Sequence, residues 1–143
     1  MKLNISIGNT ELSGYTNIDV ATAKIDMGNL AETCGEAECT DIIVDDVMRF
    51  MPHQKIPLVI EHIVSRLRHK GTLTFIFPAL NGVVRSYQNA EIDEEKFNQI
   101  LFGLGTKSCF SYQYIINTVN TLNLQVKSID ISSEQTIITI ERP

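Results

Sequence analysis

The sequence of 143 residues lacks several features that mark particular classes of protein. No apolar run approaches the length of a bilayer span, so we expect no transmembrane segment. Basic residues are not in excess, because 12 Lys and Arg stand against 17 Asp and Glu, a net charge of -5. This balance argues against a general nucleic-acid-binding protein, which carries a basic surface. The N-terminus has no basic and then apolar signal pattern, so we expect a cytoplasmic protein.

Cysteine is also scarce, with 3 residues at positions 34, 39 and 109. An odd number without paired metal-type spacing predicts no metal site. In a cytoplasmic protein we expect reduced thiols without a chemical role. Apolar residues make up 43% of the chain and charged residues 20%, as in ordinary soluble proteins, so we expect one folded domain over residues 1–143.

Strand patterns recur along the chain. "KLNISI" alternates apolar and polar residues, and "GYTNIDV" predicts a second strand after a short loop. "AKIDM" is a candidate for a short third strand. "TDIIVDDV" has the continuous apolar run of a parallel strand, and "TLTFIFP" predicts another strand. "LQVKSIDI" and "QTIITIERP" predict a closing hairpin.

Helical spacing begins at Ile56, and Pro57 fits only in the first turn of such a helix. We expect its last turn to contain the basic residues Arg66, Arg68, His69 and Lys70, and Gly71 to end it. Two later segments, "DEEKFNQILFG" and "SYQYIINTVNTLN", predict further helices capped by Asp93 and Ser111. Apart from the helix capped by Asp93, we expect residues 80–111 to form a long lid over the site, with mobile residues between 81 and 91.

Strands that alternate with helices predict an α/β fold: a Rossmann-like, mostly parallel sheet with helices on both faces and an antiparallel C-terminal hairpin. Ligands of such sheets bind at the carboxyl ends of the strands, where the strand order reverses. Polar or small residues follow four predicted strands, and we expect them to meet in one crevice; they are Gly8 and Asn9, Asp19, Asp26, and Asp45 with Asp46.

Several of these residues also have a simpler interpretation. Gly8 has no second or third glycine beside it, so as a nucleotide-binding motif it is incomplete and an ordinary turn is the alternative. Asp45 and Asp46 are an acid pair suited to taking a proton, but neighbours on a strand point to opposite faces, and one of them suits a helix cap. His53, in the following loop, is suited to a general base or is an exposed loop residue. Asp46 and His53 are therefore the catalytic candidates.

The motifs "KLNISIG", "NTELS" and "GYTNID" resemble those of a small subgroup of the class I S-adenosylmethionine-dependent methyltransferases. That subgroup begins K-L-N-L-G-C-G, followed by a short loop and G-Y-x-N-[IV]-D. "SRLRHKGTLTFIFP" is similar to the family's helix, K-P-G-G, strand and proline. "FGLGTKSCFSYQYIINTVNTLNLQVKSI" is similar to its last loop, final helix and sixth strand. The resemblance therefore covers nearly the whole chain.

The resemblance implies S-adenosylmethionine as the cofactor and no metal. It implies that Asp19 binds the ribose and that Asp26 and Met27 border the adenine. The remaining implied cofactor residues, at the tips of the first and fourth strands of the family pattern, are Ser6, Gly8, Asn9 and Asp45. Ser6 and Ile7 depart from the family's G-C-G, and "DVMRF" replaces H-V-L-E-H.

The expected function is methyl transfer to an unidentified acceptor, for which the subgroup suggests a small molecule or a sugar. One alternative is a methyltransferase-like protein with an eroded cofactor site, acting as a binding or regulatory partner. A second alternative is another nucleotide-binding α/β domain, although no glycine loop suited to phosphate is present.

Overall fold

The computed structural model describes residues 1–8, 11–20, 27–103, 105–132 and 135–143, with the backbone alone for 27–29. The strands are β1 (Lys2–Ser6), β2 (Thr16–Asp19), β3 (Cys39–Asp45), β4 (Leu67–Phe77), β5 (Gln125–Ile131) and β6 (Thr136–Glu141). The helices are α1 (Met27–Thr33), α2 (Ile56–Arg66), α3 (Leu80–Gln88), α4 (Glu94–Phe102) and α5 (Tyr112–Thr121). None of the helices in these ranges is long and apolar enough to cross a membrane.

The six strands form one sheet in the order β2-β1-β3-β4-β6-β5. Strands β1 to β4 pair in parallel, and β6 runs antiparallel to both β4 and β5. The predicted mostly parallel sheet with a C-terminal antiparallel hairpin is confirmed. From β1 the chain moves outward to β2 and then returns to β3 on the other side of β1, so the strand order reverses between β1 and β3.

One face of the sheet carries the hydrophobic core. Its strand residues alternate along β1, β3, β4 and β6 and pack with buried residues of α1, α2 and α5; the strand residues include Leu3, Ile5, Ile42, Val44, Leu73, Phe75, Ile138 and Ile140. The opposite face is more polar, and most of its residues, such as Asp41, Thr72 and Thr139, are only partly buried. The register places Ser6, Asp19 and Asp45 on this second face.

Helix α2 begins where the sequence predicts, with Pro57 in its first turn and Ile60 and Ile63 buried. Its predicted end at Gly71 is wrong. The helix ends at Arg66, and β4 begins at the next residue. The basic run after Arg66 therefore belongs to a strand and not to the last turn of a helix.

Long-range pairing explains this early helix end. Leu67 lies beside Cys39 in the ladder between β4 and β3, and the guanidinium of Arg142 donates a short hydrogen bond to the Leu67 carbonyl oxygen. The Lys70 N–H donates to the Arg142 carbonyl at 2.7 Å. These partners satisfy backbone groups that the helix would otherwise use, and the sequence gives no sign of them.

The segment after β4 also differs from the expected loop. Residues 80–88 form helix α3, in which Val83 and Ser86 are buried. Gly82 and the few apolar positions give this helix little intrinsic preference, so tertiary packing decides it. The predicted caps of α4 and α5 are confirmed, because the Asp93 side chain accepts from the Lys96 N–H and the Ser111 side chain from the Tyr114 N–H.

Two further expectations concern the segment around α1. The suggested strand "AKIDM" falls largely outside the described residues, and its last residue, Met27, begins a helix. Cys34, directly after α1, and Cys39 at the start of β3 have their sulfur atoms in contact, but their Cα atoms are 7.2 Å apart, beyond the usual span of a disulfide. The expectation of three reduced thiols stays a prediction. Cys109 is free and exposed.

Candidate active site

A row of three side chains crosses the sheet at the point where the strand order reverses. Ser6 at the end of β1 is in register with Asp19 of β2 on one side and Asp45 of β3 on the other. Because neighbouring strands lie about 4.8 Å apart, the two aspartates flank Ser6 across about 10 Å. Ser6 is buried, and both aspartates are partly buried. The predicted convergence of strand tips is present for these three residues.

The turn after β1 is fixed to the tip of β2. The Gly8 N–H donates a hydrogen bond to Asp19 Oδ1 at 3.1 Å, and the Val20 N–H donates to the Ser6 carbonyl oxygen at 2.9 Å. Gly8 has a φ of 77°, a left-handed conformation that favours glycine. A Cβ placed on Gly8 would meet no atom of the described residues within 4 Å, so the space beside this turn is open on their side.

Among the described residues, two cavities lie beside the ends of β1, β3 and β4. The switch-point cavity, of about 220 Å³, is lined by Ser6, Ile7, Asp45, Asp46 and Phe50. The second cavity, of about 510 Å³, lies over β3 and β4; it is lined by Asp45, Asp46, Arg49, Phe77, Pro78, Ile100, Ser132 and Gln135. Asp45 and Asp46 line both cavities, so these two acids lie where the cavities meet.

Asp46 is held firmly by Arg49. Both of its carboxylate oxygens accept hydrogen bonds from the guanidinium, from Nε at 2.7 Å and from Nη2 at 2.9 Å. The Asp46 N–H donates to the Ile76 carbonyl at 2.6 Å, and its φ of 51° is uncommon for a residue other than glycine. Arg49 Nη1 donates to the Ile100 carbonyl at 2.6 Å and so fixes the end of α4 against the crevice.

The side chain of Asp45 differs from that of its neighbour in having no hydrogen bond or salt bridge to any of the residues that the structure describes. Partial burial raises the pKa of its carboxyl, and the negative charge of Asp46 raises that pKa further. Asp45 therefore offers both carboxylate oxygens to whatever enters either cavity.

The other predicted site residues have different positions. His53 is exposed, and its ring stacks 4.5 Å from the ring of Tyr114 on α5, on no wall of either cavity. Asn9 and Asp26 lie outside the described residues, and of Met27 the structure describes only the backbone, at the start of α1. The cofactor and catalytic roles of all these residues stay predictions.

Arg49 and Ile100 are site residues that the sequence reasoning missed. The spacing of Asp46 and Arg49 matches the i, i+3 pairing of opposite charges seen on helices, and that spacing was the available signal for Arg49. No local pattern marks Ile100, because it reaches the crevice only through the placement of α4.

Comparisons with known proteins rest on structure. No protein-family model matches the sequence, and a search of the curated proteins found no match. The fold is similar to that of an O-methyltransferase family protein from Burkholderia thailandensis, with a TM-score of 0.61 and 14% identity over 90% of this chain and 36% of that one. It is also similar to the magnesium protoporphyrin IX methyltransferase of Synechocystis with bound SAH, with a TM-score of 0.53 and 13% identity over 90% and 51% of the two chains.

A third similar structure is the 1,6-didemethyltoxoflavin-N1-methyltransferase of Burkholderia thailandensis, with 1,6-didemethyltoxoflavin and S-adenosylhomocysteine bound. Its TM-score is 0.61 and its identity 10%, over 98% of this chain and 70% of that one. The chain spans about a third to a half of the first two proteins, with 36% and 51% of their lengths covered. With its sheet order and these similarities, the chain has the fold of the S-adenosylmethionine-dependent methyltransferases.

Proposed function

We propose that the chain binds S-adenosylmethionine at the switch point between β1 and β3 and transfers its methyl group to an acceptor in the second cavity. One observation carries this proposal: the row Asp19–Ser6–Asp45 stands where the strand order reverses, in a methyltransferase fold. We propose that residues 1–143 form one methyltransferase-like domain.

The residues of this edge suit the chemistry of the cofactor. Asp19 suits the two ribose hydroxyls, because it is an acid at the end of β2, bonded to the Gly8 turn, and a carboxylate has about four lone-pair sites. Asp45 suits the positive sulfonium, since it is an acid that no described cation neutralises. The open space beside Gly8 leaves room for the methionine part. We assign the adenine side to Asp26 and Met27 and the approach to Asn9, on the resemblance alone.

The bound cofactor supplies an activated methyl group, so the protein's task is chiefly alignment of the acceptor. The walls of the second cavity hold the acceptor beside Asp45, where the two cavities meet. Asp45 then accepts the proton that an O–H or N–H acceptor loses. Asp46 is less suited to this role because Arg49 occupies both of its oxygens. His53 retains the role of an alternative base only if the acceptor reaches the α5 side.

The size of the second cavity favours a small-molecule acceptor. Its volume of about 510 Å³ falls in the range of roughly 300–1,000 Å³ typical of small-molecule sites. The similar 1,6-didemethyltoxoflavin-N1-methyltransferase has 1,6-didemethyltoxoflavin bound. A sugar-type acceptor is the choice that the sequence resemblance supports.

One observation favours the alternative of a non-catalytic binding protein. The switch-point cavity, of about 220 Å³, is below that range of roughly 300–1,000 Å³, and Ser6 and Ile7 line it where the subgroup has glycine and cysteine. A protein with this narrower site would keep the fold and bind no cofactor.

A thermal-shift titration separates these functions, because a ligand that binds only the folded state raises the melting temperature. We expect S-adenosylmethionine and S-adenosylhomocysteine to raise it, and ATP and NAD at equal concentration to leave it unchanged. A shift with ATP or NAD alone would indicate a different nucleotide-binding protein. No shift with any of them at millimolar concentration would favour the eroded site.

We also propose a cytoplasmic location, for which the cysteines provide a test. A reducing cytoplasm keeps thiols reduced, so all 3 cysteines should be free in the cell although the sulfur atoms of Cys34 and Cys39 are in contact. Rapid alkylation of intact cells followed by mass spectrometry should find three labelled thiols. Labelling of Cys109 alone would indicate an oxidising compartment.

A further inference from the structure

The charges around the second cavity do not balance. Of its described lining residues, Asp45, Asp46 and Arg49 are ionisable, and the bidentate contact between Arg49 and Asp46 cancels two of those charges. The carboxylate of Asp45 remains, without a cationic partner among the described residues. Among the described residues, the cavity therefore presents one negative charge to an occupant.

The other described residues that line the second cavity carry no charge. Phe77, Pro78 and Ile100 are apolar, and Ser132 and Gln135 are neutral polar residues. Phe77 is buried, and its ring packs on that of Phe110 with the centroids 5.1 Å apart and the planes tilted by 38°, which fixes an apolar part of the wall. An apolar wall with an aromatic residue suits a ring, and the Asp45 carboxylate suits a hydrogen-bond donor at one end of that ring.

We propose that this cavity selects a ring-containing acceptor whose end facing Asp45 is cationic or a neutral hydrogen-bond donor, and that Asp45 is the residue that excludes anionic acceptors. The inference rests on the proposed function in one respect, that the molecule bound in the cavity is a methyl acceptor. The charge selection itself follows from the cavity.

The neighbouring charges support the assignment to Asp45 and not to Asp46. An anionic group in this cavity would lie near an uncompensated carboxylate in a partly buried place, where charges are weakly screened. Arg49 offers no compensation, because its Nε and Nη2 bind Asp46 and its Nη1 binds the Ile100 carbonyl. When a cationic or neutral hydrogen-bond donor enters the cavity, the carboxylate oxygens of Asp45 replace the water molecules to which it was bonded.

The test uses three phenols of similar size whose side chains differ in charge: tyramine is cationic, tyrosol neutral and 4-hydroxyphenylacetate anionic. Binding of each is measured by calorimetry, with and without saturating S-adenosylhomocysteine. We expect the dissociation constants to rise in the order tyramine, tyrosol, 4-hydroxyphenylacetate, with about a tenfold or larger difference between the ends of the series. Binding of S-adenosylhomocysteine is measured in a separate titration. If S-adenosylhomocysteine does not bind, the proposed function fails, and the charge selection is still tested by the three phenols.

Asp45→Asn keeps the shape of the side chain and removes its charge, so the variant should bind tyramine and 4-hydroxyphenylacetate with nearly equal affinity. Glu36→Gln removes an exposed acid between α1 and β3, at the opposite edge of the sheet, and should keep the wild-type order. The proposal is overturned if the wild type binds the three phenols equally or binds the anion most strongly. It is also overturned if tyramine does not bind at 10 mM, a dissociation constant that corresponds to roughly -2.7 kcal/mol of binding free energy. An unchanged order in Asp45→Asn overturns it as well.

Discussion

The two halves of the crevice hold their acids in place by different means. In the half formed by β1 and β2, Asp19 accepts a hydrogen bond from the Gly8 backbone, 11 residues away in the sequence. In the half formed by β3 and β4, Asp46 is held by a side chain, Arg49, which also binds the Ile100 carbonyl 51 residues further along. The first half is built from one continuous stretch of chain, and the second depends on how distant elements pack.

This difference corresponds to the two tasks that we propose. A site for an invariant cofactor needs only the strand tips and their turn, which one stretch of sequence supplies. The half that would hold the acceptor uses α4, which comes from a segment between strands where loops and helices vary without disturbing the sheet. The following predictions test whether the halves really differ in this way.

The largest effect should come from Asp19. Asp19→Ala removes a charged hydrogen-bond acceptor, worth roughly 1.5–3 kcal/mol, and should weaken binding of S-adenosylhomocysteine by about ten- to a hundredfold. Asp19→Asn should also weaken binding, because one oxygen becomes a donor that faces a hydroxyl. Calorimetry gives the dissociation constants, and Asp130→Ala, an exposed acid on β5, is the matched control. Wild-type affinity in Asp19→Ala would remove Asp19 from the cofactor site.

Arg49→Met should act on the other half and on stability. The change leaves the Asp46 carboxylate and the Ile100 carbonyl without their donor, which should lower the free energy of unfolding by about 1–2 kcal/mol. Urea denaturation measures this, and Arg68→Met, an exposed arginine of β4, should change it by less than about 0.5 kcal/mol. Cofactor affinity should change much less in Arg49→Met than in Asp19→Ala. An equal loss of cofactor affinity in both variants would show that the halves are not separate.

Ser6→Gly tests the point where the halves meet. Ser6 is 3% exposed and lines the switch-point cavity, so removing its side chain should enlarge that cavity and tighten binding of S-adenosylhomocysteine. Glycine in a strand should also cost about 0.5–1 kcal/mol of stability. Calorimetry and urea denaturation of the same preparation separate the two effects. Binding in Ser6→Gly but none in the wild type would identify the natural site as eroded.

The smallest effect should be the pH dependence of Asp45→Asn. Burial and the charge of Asp46 raise the pKa of Asp45 above its ordinary value of 3.8. The folded state therefore binds this proton more tightly than the unfolded state, so the ionised group opposes folding above its raised pKa. Asp45→Asn should melt slightly higher than the wild type at neutral pH, and the difference should vanish as the pH falls towards 3.8. A lower melting temperature at neutral pH would make Asp45 a structural residue.

The sequence predicted the first half of the crevice better than the second. "LNISIG" and "GYTNID" carry the alternation and the strand-end residues that place Ser6 and Asp19, and these signals are local. The end of α2 and the start of β4 were misplaced because Leu67 is drawn into the sheet by Cys39 and Arg142, which are distant in the sequence. Helix α3 was missed because its residues have little helical preference of their own.

The roles of the two adjacent acids show the same limit. The sequence identified Asp45 and Asp46 as a pair at a strand end but favoured Asp46 for catalysis. Arg49 reverses that preference by occupying both oxygens of Asp46 and leaving Asp45 without a partner among the described residues. Which of two neighbouring carboxylates is neutralised depends on side-chain geometry beyond what spacing alone specifies.

Hydrogen exchange with and without saturating S-adenosylhomocysteine tests most directly whether the cofactor binds at the switch point. The amides of residues 6–8 and 45–50 should exchange more slowly with the ligand, because they border the cavity between β1 and β3. The amides of residues 35–38, at the opposite edge of the sheet, should exchange at an unchanged rate. Protection that avoids residues 6–8 and 45–50, or no protection anywhere in the chain, would contradict the account.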